Sequence, residues 1–166
     1  ISEISQLREE ARRQILMGLL VTDKAIFEKH MVTAKEYLTK TREAMDYYKS
    51  HLITDDNDGQ LISQTIQDFG VYLEKVNKMV GVYQTGGIDA ARAMVSDQGE
   101  TAAASVVVSQ NLKDLLAYNY QIANNFAAEN HAQYLHTLWL LSSIIVAAVI
   151  LTALSSYSVL SYIRKG

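Results

Sequence analysis

The sequence contains no proline and no cysteine in 166 residues. Proline breaks helix interiors, so its absence favours long uninterrupted helices. Without cysteine there is no disulfide scaffold, no cysteine-based zinc site and no thiol nucleophile. Charge is missing from one long stretch: Thr137 to Ile163 holds no Asp, Glu, Lys or Arg. A bilayer core of ~30 Å needs ~20 apolar residues in a helix, so this run is long enough to span. It is also far too long for a signal-peptide core. A very hydrophobic buried helix of a soluble protein is the competing reading, disfavoured by the length of the run.

What charge there is leans acidic. Residues 1–136 carry 13 basic against 18 acidic side chains, a net −5. That balance argues against a nucleic-acid partner, which needs a clustered basic face. Arg164 and Lys165 close the apolar run on one side, and on the other the nearest basic side chain is Lys113. The positive-inside rule then predicts a cytoplasmic C-terminus, with residues 1–136 periplasmic or extracellular, 137–163 as the span and 164–166 opening a cytoplasmic linker. Trp139 suits an outer interfacial anchor, and Tyr157 and Tyr162 an inner one.

Helical periodicity dominates the remainder. Residues 1–52 contain one glycine and read as a single helix. Its outer part carries the seam Phe27, Met31, Ala34, Leu38, Thr41, Met45, Tyr48, Leu52, a 3.5-residue period. A less regular stripe precedes it, Ile4, Ala11, Ile15, Leu19, Thr22, Ile26, while Leu16 and Leu20 face elsewhere. That surplus predicts a homodimer through helix one. The polar run Thr54–Gly59 ends the helix and offers Asp56, Asn57 or Asp58 as caps for the next. The second seam is Ile62, Ile66, Phe69, Leu73, Val76, Val80, Tyr83, stopping at Thr85-Gly86-Gly87. A short helix is predicted over Ile88–Val95, broken by Ser96–Gly99. The last seam, Thr101, Ser105, Val108, Leu112, Leu115, Asn119, Ile122, Phe126, meets no breaker before the apolar run.

Four helical segments with short connections predict an all-α, up-down-up-down bundle whose fourth helix continues into a transmembrane helix. At ~1.5 Å per residue, helix one climbs ~78 Å from the membrane and helix two descends ~43 Å. Returning the chain to the membrane by residue 136 puts the last turn near residue 100. A later turn near Ser109 would fill the tip of the bundle but close less well.

The stretch from Glu129 to Gly166, with its polar Asn130–Tyr134 segment, Trp139 and the Arg164-Lys165 exit, resembles the fourth sensory helix and second transmembrane helix of bacterial methyl-accepting chemotaxis receptors. The segment from Val82 to Leu116, in which an acidic-Ala-Ala motif follows a glycine turn, resembles the four-helix-bundle sensory domain of the same receptors. The resemblance implies a sensory module that binds a small ligand outside the cytoplasm and passes a signal through the membrane. A cytoplasmic kinase and a coupling protein would be reached through regions beyond this chain. A sensor histidine kinase, a cyclic-nucleotide signalling enzyme or a ligand-free anchored interaction protein remain alternative carriers of such a module.

No enzyme is expected, and neither a cofactor nor a metal. His30, His51, His131 and His136 belong to no Glu-x-x-His or His-Glu-x-x-His unit, and no phosphate-binding glycine loop or Gly-x-Ser-x-Gly motif occurs. The ligand is expected to be a small carboxylate, an organic acid or amino acid, gripped by a cation in a helix cleft. Lys35, Lys40 and Arg42 lie on the outer half of the predicted helix one, and Arg92 on the short third helix. Receptors of the enteric amino-acid type hold a ligand carboxylate with arginine on outer helix one, helped by a hydroxyl near the start of helix four. The positions matched here are Arg42 and Thr101. The arginine cluster of that type is absent around Arg42, so amino-acid specificity does not carry over. Tyr48 and Tyr72 are candidate apolar walls, and Lys35 and Arg92 supporting cations. Arg42 could equally be a surface charge paired with Asp46, and Tyr48 could simply be core. Arg12 and Arg13 are expected near the membrane, against lipid phosphates or Glu129.

Overall fold

The computed structural model describes residues 1–163, with side chains through Thr152. Arg164, Lys165 and the side chains of Tyr157 and Tyr162, invoked above for orientation and anchoring, lie outside the described residues. Four helices account for nearly all of it: α1 (Ser2–Leu20), α2 (Lys24–His51), α3 (Asp56–Val95) and α4 (Glu100–Ile163).

The single helix expected over residues 1–52 is corrected, because the chain breaks at Val21–Asp23. Val21 is extended (φ −98°, ψ 148°), and the Asp23 carboxylate accepts from the amides of Ala25 and Ile26 at 2.8 and 3.1 Å. Two amides that have no helical acceptor at a new N-terminus are thereby satisfied, which stabilises the restart of the helix. α1 and α2 then form an antiparallel hairpin. Gln14 meets the His30 ring at 2.7 Å near the turn, while Ile4 shares a cavity wall with Ala44 and Tyr48 at the far end. The seam on α2 is real: Phe27, Ala34, Leu38, Thr41, Met45 and Tyr48 are all buried.

The cap of α3 is Asp55, not the Asp56, Asn57 or Asp58 expected; its side chain accepts from the Asp58 amide at 2.9 Å. That bond, with a second from the Tyr118 hydroxyl, holds the Asp55 carboxyl below its ordinary pKa. α3 buries Ile62, Ile66, Phe69 and Val76 from the expected seam, and adds Thr65, Tyr72 and Met79 on a flanking stripe. The predicted stop at Thr85-Gly86-Gly87 is present as a break within α3. Gly87 has φ 78° and ψ −175°, a conformation essentially confined to glycine. Beyond it the chain runs back along the bundle. Tyr83 stacks on Phe27 with ring centroids 3.6 Å apart, whereas Arg92 reaches the Leu19 carbonyl and Val95 lines a cavity with Ile15 and Tyr72. The 88–95 segment is thus the short helix expected from the sequence.

The helix is interrupted at Ser96–Gly99 before α4, but the reversal expected near residue 100 is corrected: residues 88–95 already run in the direction of α4, so the last reversal lies at Gly86–Gly87. A Cβ at Gly99 would sit 2.2 Å from the Met94 carbonyl oxygen, so no larger residue fits there without displacing backbone. α4 runs antiparallel to the part of α3 before Gly87. Glu100 pairs with Lys75 and Lys78, Asn111 donates to Asp68, and Asn119 donates to Asp58. The two lysines hold the Glu100 carboxyl below its ordinary pKa. From α4 the core receives Thr101, Ser105, Val108, Leu112 and Leu115. Burying each large apolar side chain of such a core contributes ~1.5–3 kcal/mol.

Contacts divide the chain into a compact unit, Ile1–Asn119, and a second from Tyr120 onward. The second unit contains a stretch long and apolar enough to cross a membrane, none of it buried by protein. Trp139, Ile145, Val149 and Leu151 are among its exposed apolar side chains.

Candidate functional site

The helical break at Val21–Asp23 changes which cations face which helices. With α1 confined to Ser2–Leu20, its Arg8 and Arg12, one turn apart, lie beside the start of α4. There Thr101, Ser105 and Ser109 recur every four residues and present a ladder of hydroxyls on one helix face. Between the two helices lies a cavity of about 360 Å³. Tyr72 of α3, together with Ile15, Leu16 and Val95, supplies its apolar surface, and Glu9 and Asp97 its acids.

Arg8 is the central group. The residue is only 4% exposed, which is unusual for arginine. One terminal nitrogen contacts the Glu9 carboxylate at 2.6 Å. The other donates to the Ser105 carbonyl and hydroxyl, both at 2.9 Å, and to the Ser109 hydroxyl. Its Nε is buried with no hydrogen-bond partner among the described residues. A buried donor left unmade costs ~1–3 kcal/mol, so an arginine held this way beside a cavity has donor capacity in reserve. Arg12 shares Glu9 at 3.5 Å and keeps half its side chain exposed. Tyr72 is buried, and burial pushes its hydroxyl up in pKa, partly offset by the charges of Arg8 and Arg12. The hydroxyl therefore stays protonated near neutrality and can donate or accept.

The six residues singled out from the sequence fall into four places. Thr101 and Tyr72 line this cavity. Arg42 and Lys35 line a different one, between α2 and α3. Arg42 Nε donates to Asp46, one turn on, at 2.9 Å, which is the surface pairing considered for it. Tyr48 is core: its hydroxyl donates to the buried Asp58 carboxylate at 2.9 Å, and burial with that bond raises its pKa to about 12. Arg92 donates from Nε to the Leu19 carbonyl at 2.7 Å and meets Asp89 at 3.1 Å, so it caps the C-terminus of α1. Arg12 meets Glu9, and Arg13 meets Glu10, each a local pair on α1.

Arg8, Arg12, Ser105 and Ser109 were missed as site residues. The missing signal was the Thr22-Asp23-Lys24 cap, which shortens α1 and shifts every assignment of helix one to a different helix. Among the described residues no cluster of His, Asp or Glu could hold a metal ion.

A family model described as a four helix bundle sensory module for signal transduction matches residues 1–134. No curated protein and no solved structure matches the chain. The family match spans α1, α2, α3 and the bundle part of α4, and it takes in every residue around the Arg8 cavity. The chain therefore belongs to the four-helix-bundle sensory module family of signal-transduction proteins.

Proposed function

We propose that the chain is the ligand-sensing and membrane-crossing part of a chemotaxis-type receptor, and that its ligand is a small carboxylate bound in the Arg8 cavity. The reading takes α1 to α4 as an up-down-up-down bundle, residues 1–136 as extracytoplasmic and 137–163 as the span. The observation that carries it is Arg8: a buried guanidinium with an unpartnered Nε, facing a cavity lined by a hydroxyl ladder. Arginine's donors suit a carboxylate, and the Nε is the one left unused. The lining carries Arg8 and Arg12 against Glu9 and Asp97, which balance. A zwitterion suits that balance, with its carboxylate toward the arginines and its ammonium toward Asp97; among the expected ligands this favours an amino acid.

α4 supplies six of the fourteen residues that line the cavity and also holds the apolar run, so a ligand that prefers one position of α4 would bias the span. Binding alone is insufficient; the two positions must differ in affinity. Leu16 and Leu20, which α1 leaves exposed, suit an isologous dimer.

The test is calorimetric titration of the full chain in lipid nanodiscs with L-alanine, L-serine, L-aspartate and succinate. A bond to a charged group contributes ~1.5–3 kcal/mol, so Arg8→Met should weaken the tightest of these ~10- to 150-fold. Arg42→Ala should leave it unchanged. Equal affinity in Arg8→Met and the parent would remove the Arg8 assignment.

A further inference from the structure

A second cavity, of about 480 Å³, opens between α2 and α3 on residues that the Arg8 cavity does not use. Its origin is a drop in side-chain size along the α2 seam. Phe27, Met31, Leu38 and Met45 are large, but Ala34 between them is small. Close-packed interiors leave few voids, and a short residue opposite unfilled space creates one. Leu38, Val76 and Ala34 form a buried floor, and Leu73, Val80 and Met31 the flanks.

The rim is not apolar. Lys35 stands on it with no ion-pair or hydrogen-bond partner for its ammonium among the described residues. Two turns on, Arg42 uses only its Nε on Asp46, and both terminal nitrogens are without a hydrogen-bond partner. Thr39 lies between them, and Glu43 follows Arg42. The surface is therefore a greasy slot with an uncompensated ammonium at its edge and a partly free guanidinium beyond. A purely hydrophilic acid would gain little there, because the floor offers no hydrogen bond. A neutral hydrocarbon would leave Lys35 unused.

We propose that this slot is a second ligand site, and that it takes an amphipathic monoanion: an aromatic or branched apolar body carrying one carboxylate. The body lies on Leu38, Leu73, Val76 and Val80, and the carboxylate meets Lys35, with Arg42 in reach. Glu43 disfavours a second negative charge at the same end. The site is distinct in chemistry from the Arg8 cavity, whose balanced charges suit a small zwitterion. It does not depend on that assignment.

The experiment is methyl NMR of the full chain in lipid nanodiscs, with Leu, Ile and Val methyls labelled and 3-phenylpropionate as the probe. The expected result is saturable shifts of the Leu38, Leu73, Val76 and Val80 methyls, with Ile15, Val95 and Val106 unmoved. The neutral 3-phenylpropanamide should bind more weakly, and acetate should not shift these methyls. Lys35→Gln should weaken the acid about two- to fivefold, the range for one exposed ion pair, with the amide unaffected. Val80→Phe, which fills a flank, should abolish the shifts while leaving the rest of the spectrum in place. Shifts confined to Ile15, Val95 and Val106 would assign the probe to the Arg8 cavity and overturn the second site. Equal affinity for acid and amide would overturn the role of charge. Shifts of the same methyls on raising protein concentration without probe would mean that a second copy of the chain covers the slot. No saturable shift would overturn it outright. The amino-acid titration of Arg8→Met is read separately, so failure of this site leaves that assignment to its own test.

Discussion

The compact unit buries two charged side chains, and they are treated in opposite ways. Asp58, near the α2–α3 connection, is completely buried. Its two carboxylate oxygens accept from the Tyr48 hydroxyl, the Thr54 amide and hydroxyl, and the Asn119 amide, at 2.9 to 3.2 Å. Residues from α2, the connection and α4 therefore converge on this one α3 group, and little acceptor capacity is left over. Arg8, farther along the bundle, is 4% exposed, keeps an unpartnered Nε and borders a cavity. A buried charge whose valences are all used from within is architecture. One whose valences are partly unused beside a cavity is poised for something that comes from outside.

The comparison breaks most visibly by removing each charge in turn. Asp58→Ala leaves a buried tyrosine hydroxyl, a threonine amide and an asparagine amide without their acceptor. Breaking a buried charged network by removing one member costs ~3–5 kcal/mol, so urea unfolding of the chain should show a large loss of midpoint. Arg8→Met keeps the apolar stem and removes a charge that was incompletely satisfied. Its stability should change by no more than about 1 kcal/mol, because the Glu9 carboxylate left behind is half exposed and the Ser105 and Ser109 hydroxyls border a cavity. Comparable losses in both variants would erase the distinction drawn between them.

A smaller effect sharpens the architectural side. Tyr48 must stay protonated to donate to Asp58, and its pKa is raised from 10.0 to about 12 by burial and that bond. The folded state holds the proton more tightly than the unfolded chain. The contribution is therefore full below pH 10 and is lost as pH rises toward 12. Tyr48→Phe should cost ~1.5–3 kcal/mol at neutral pH, the range for a bond to a charged group. It should also lose less melting temperature than the parent between pH 10 and pH 12. Parallel melting curves for the two across that window would show that Tyr48 does not carry the alkaline transition.

The smallest effect concerns a charge that is neither buried nor poised. Arg42 and Asp46 keep 42% and 53% of their side chains exposed. Exposed i, i+4 pairs contribute ~0.3–0.5 kcal/mol, so Arg42→Ala should shift the thermal midpoint barely at all. A loss of several degrees would place Arg42 with Asp58 instead.

Much of the fold was legible because its signals are local. The α2 seam from Phe27 to Tyr48, the interruption at Ser96–Gly99 and the stop at Gly87 each follow from the spacing of apolar residues or from glycine, although which of the two stops reverses the chain does not. The α1–α2 turn was not read, although Asp23 is a strong cap. The stripe Ile15, Leu19, Thr22, Ile26 runs through it at unbroken spacing, and a helical period counted along the chain does not register a reversal that preserves its phase. One missed turn moved Arg42 and Lys35 from the expected helix one onto α2. It also hid Arg8 and Arg12, which belong to the helix that faces α4. Thr101 and Tyr72, expected beside Arg42, line a cavity with Arg8 and Arg12 instead, because the same turn sets α1 beside α4.

By itself the sequence determined the helical content, the seams that form the core and the apolar run after residue 136, because each depends on the order of residues along one helix. Only the tertiary structure decided which charges are used up and which are left over. Arg8 and Asp58 are both single charged letters within helical stretches. Arg8 meets Ser105 across 97 positions, and Asp58 meets Asn119 across 61. Whether a buried charge is satisfied is set by side chains that distant parts of the chain bring to it, and helical periodicity carries no record of them.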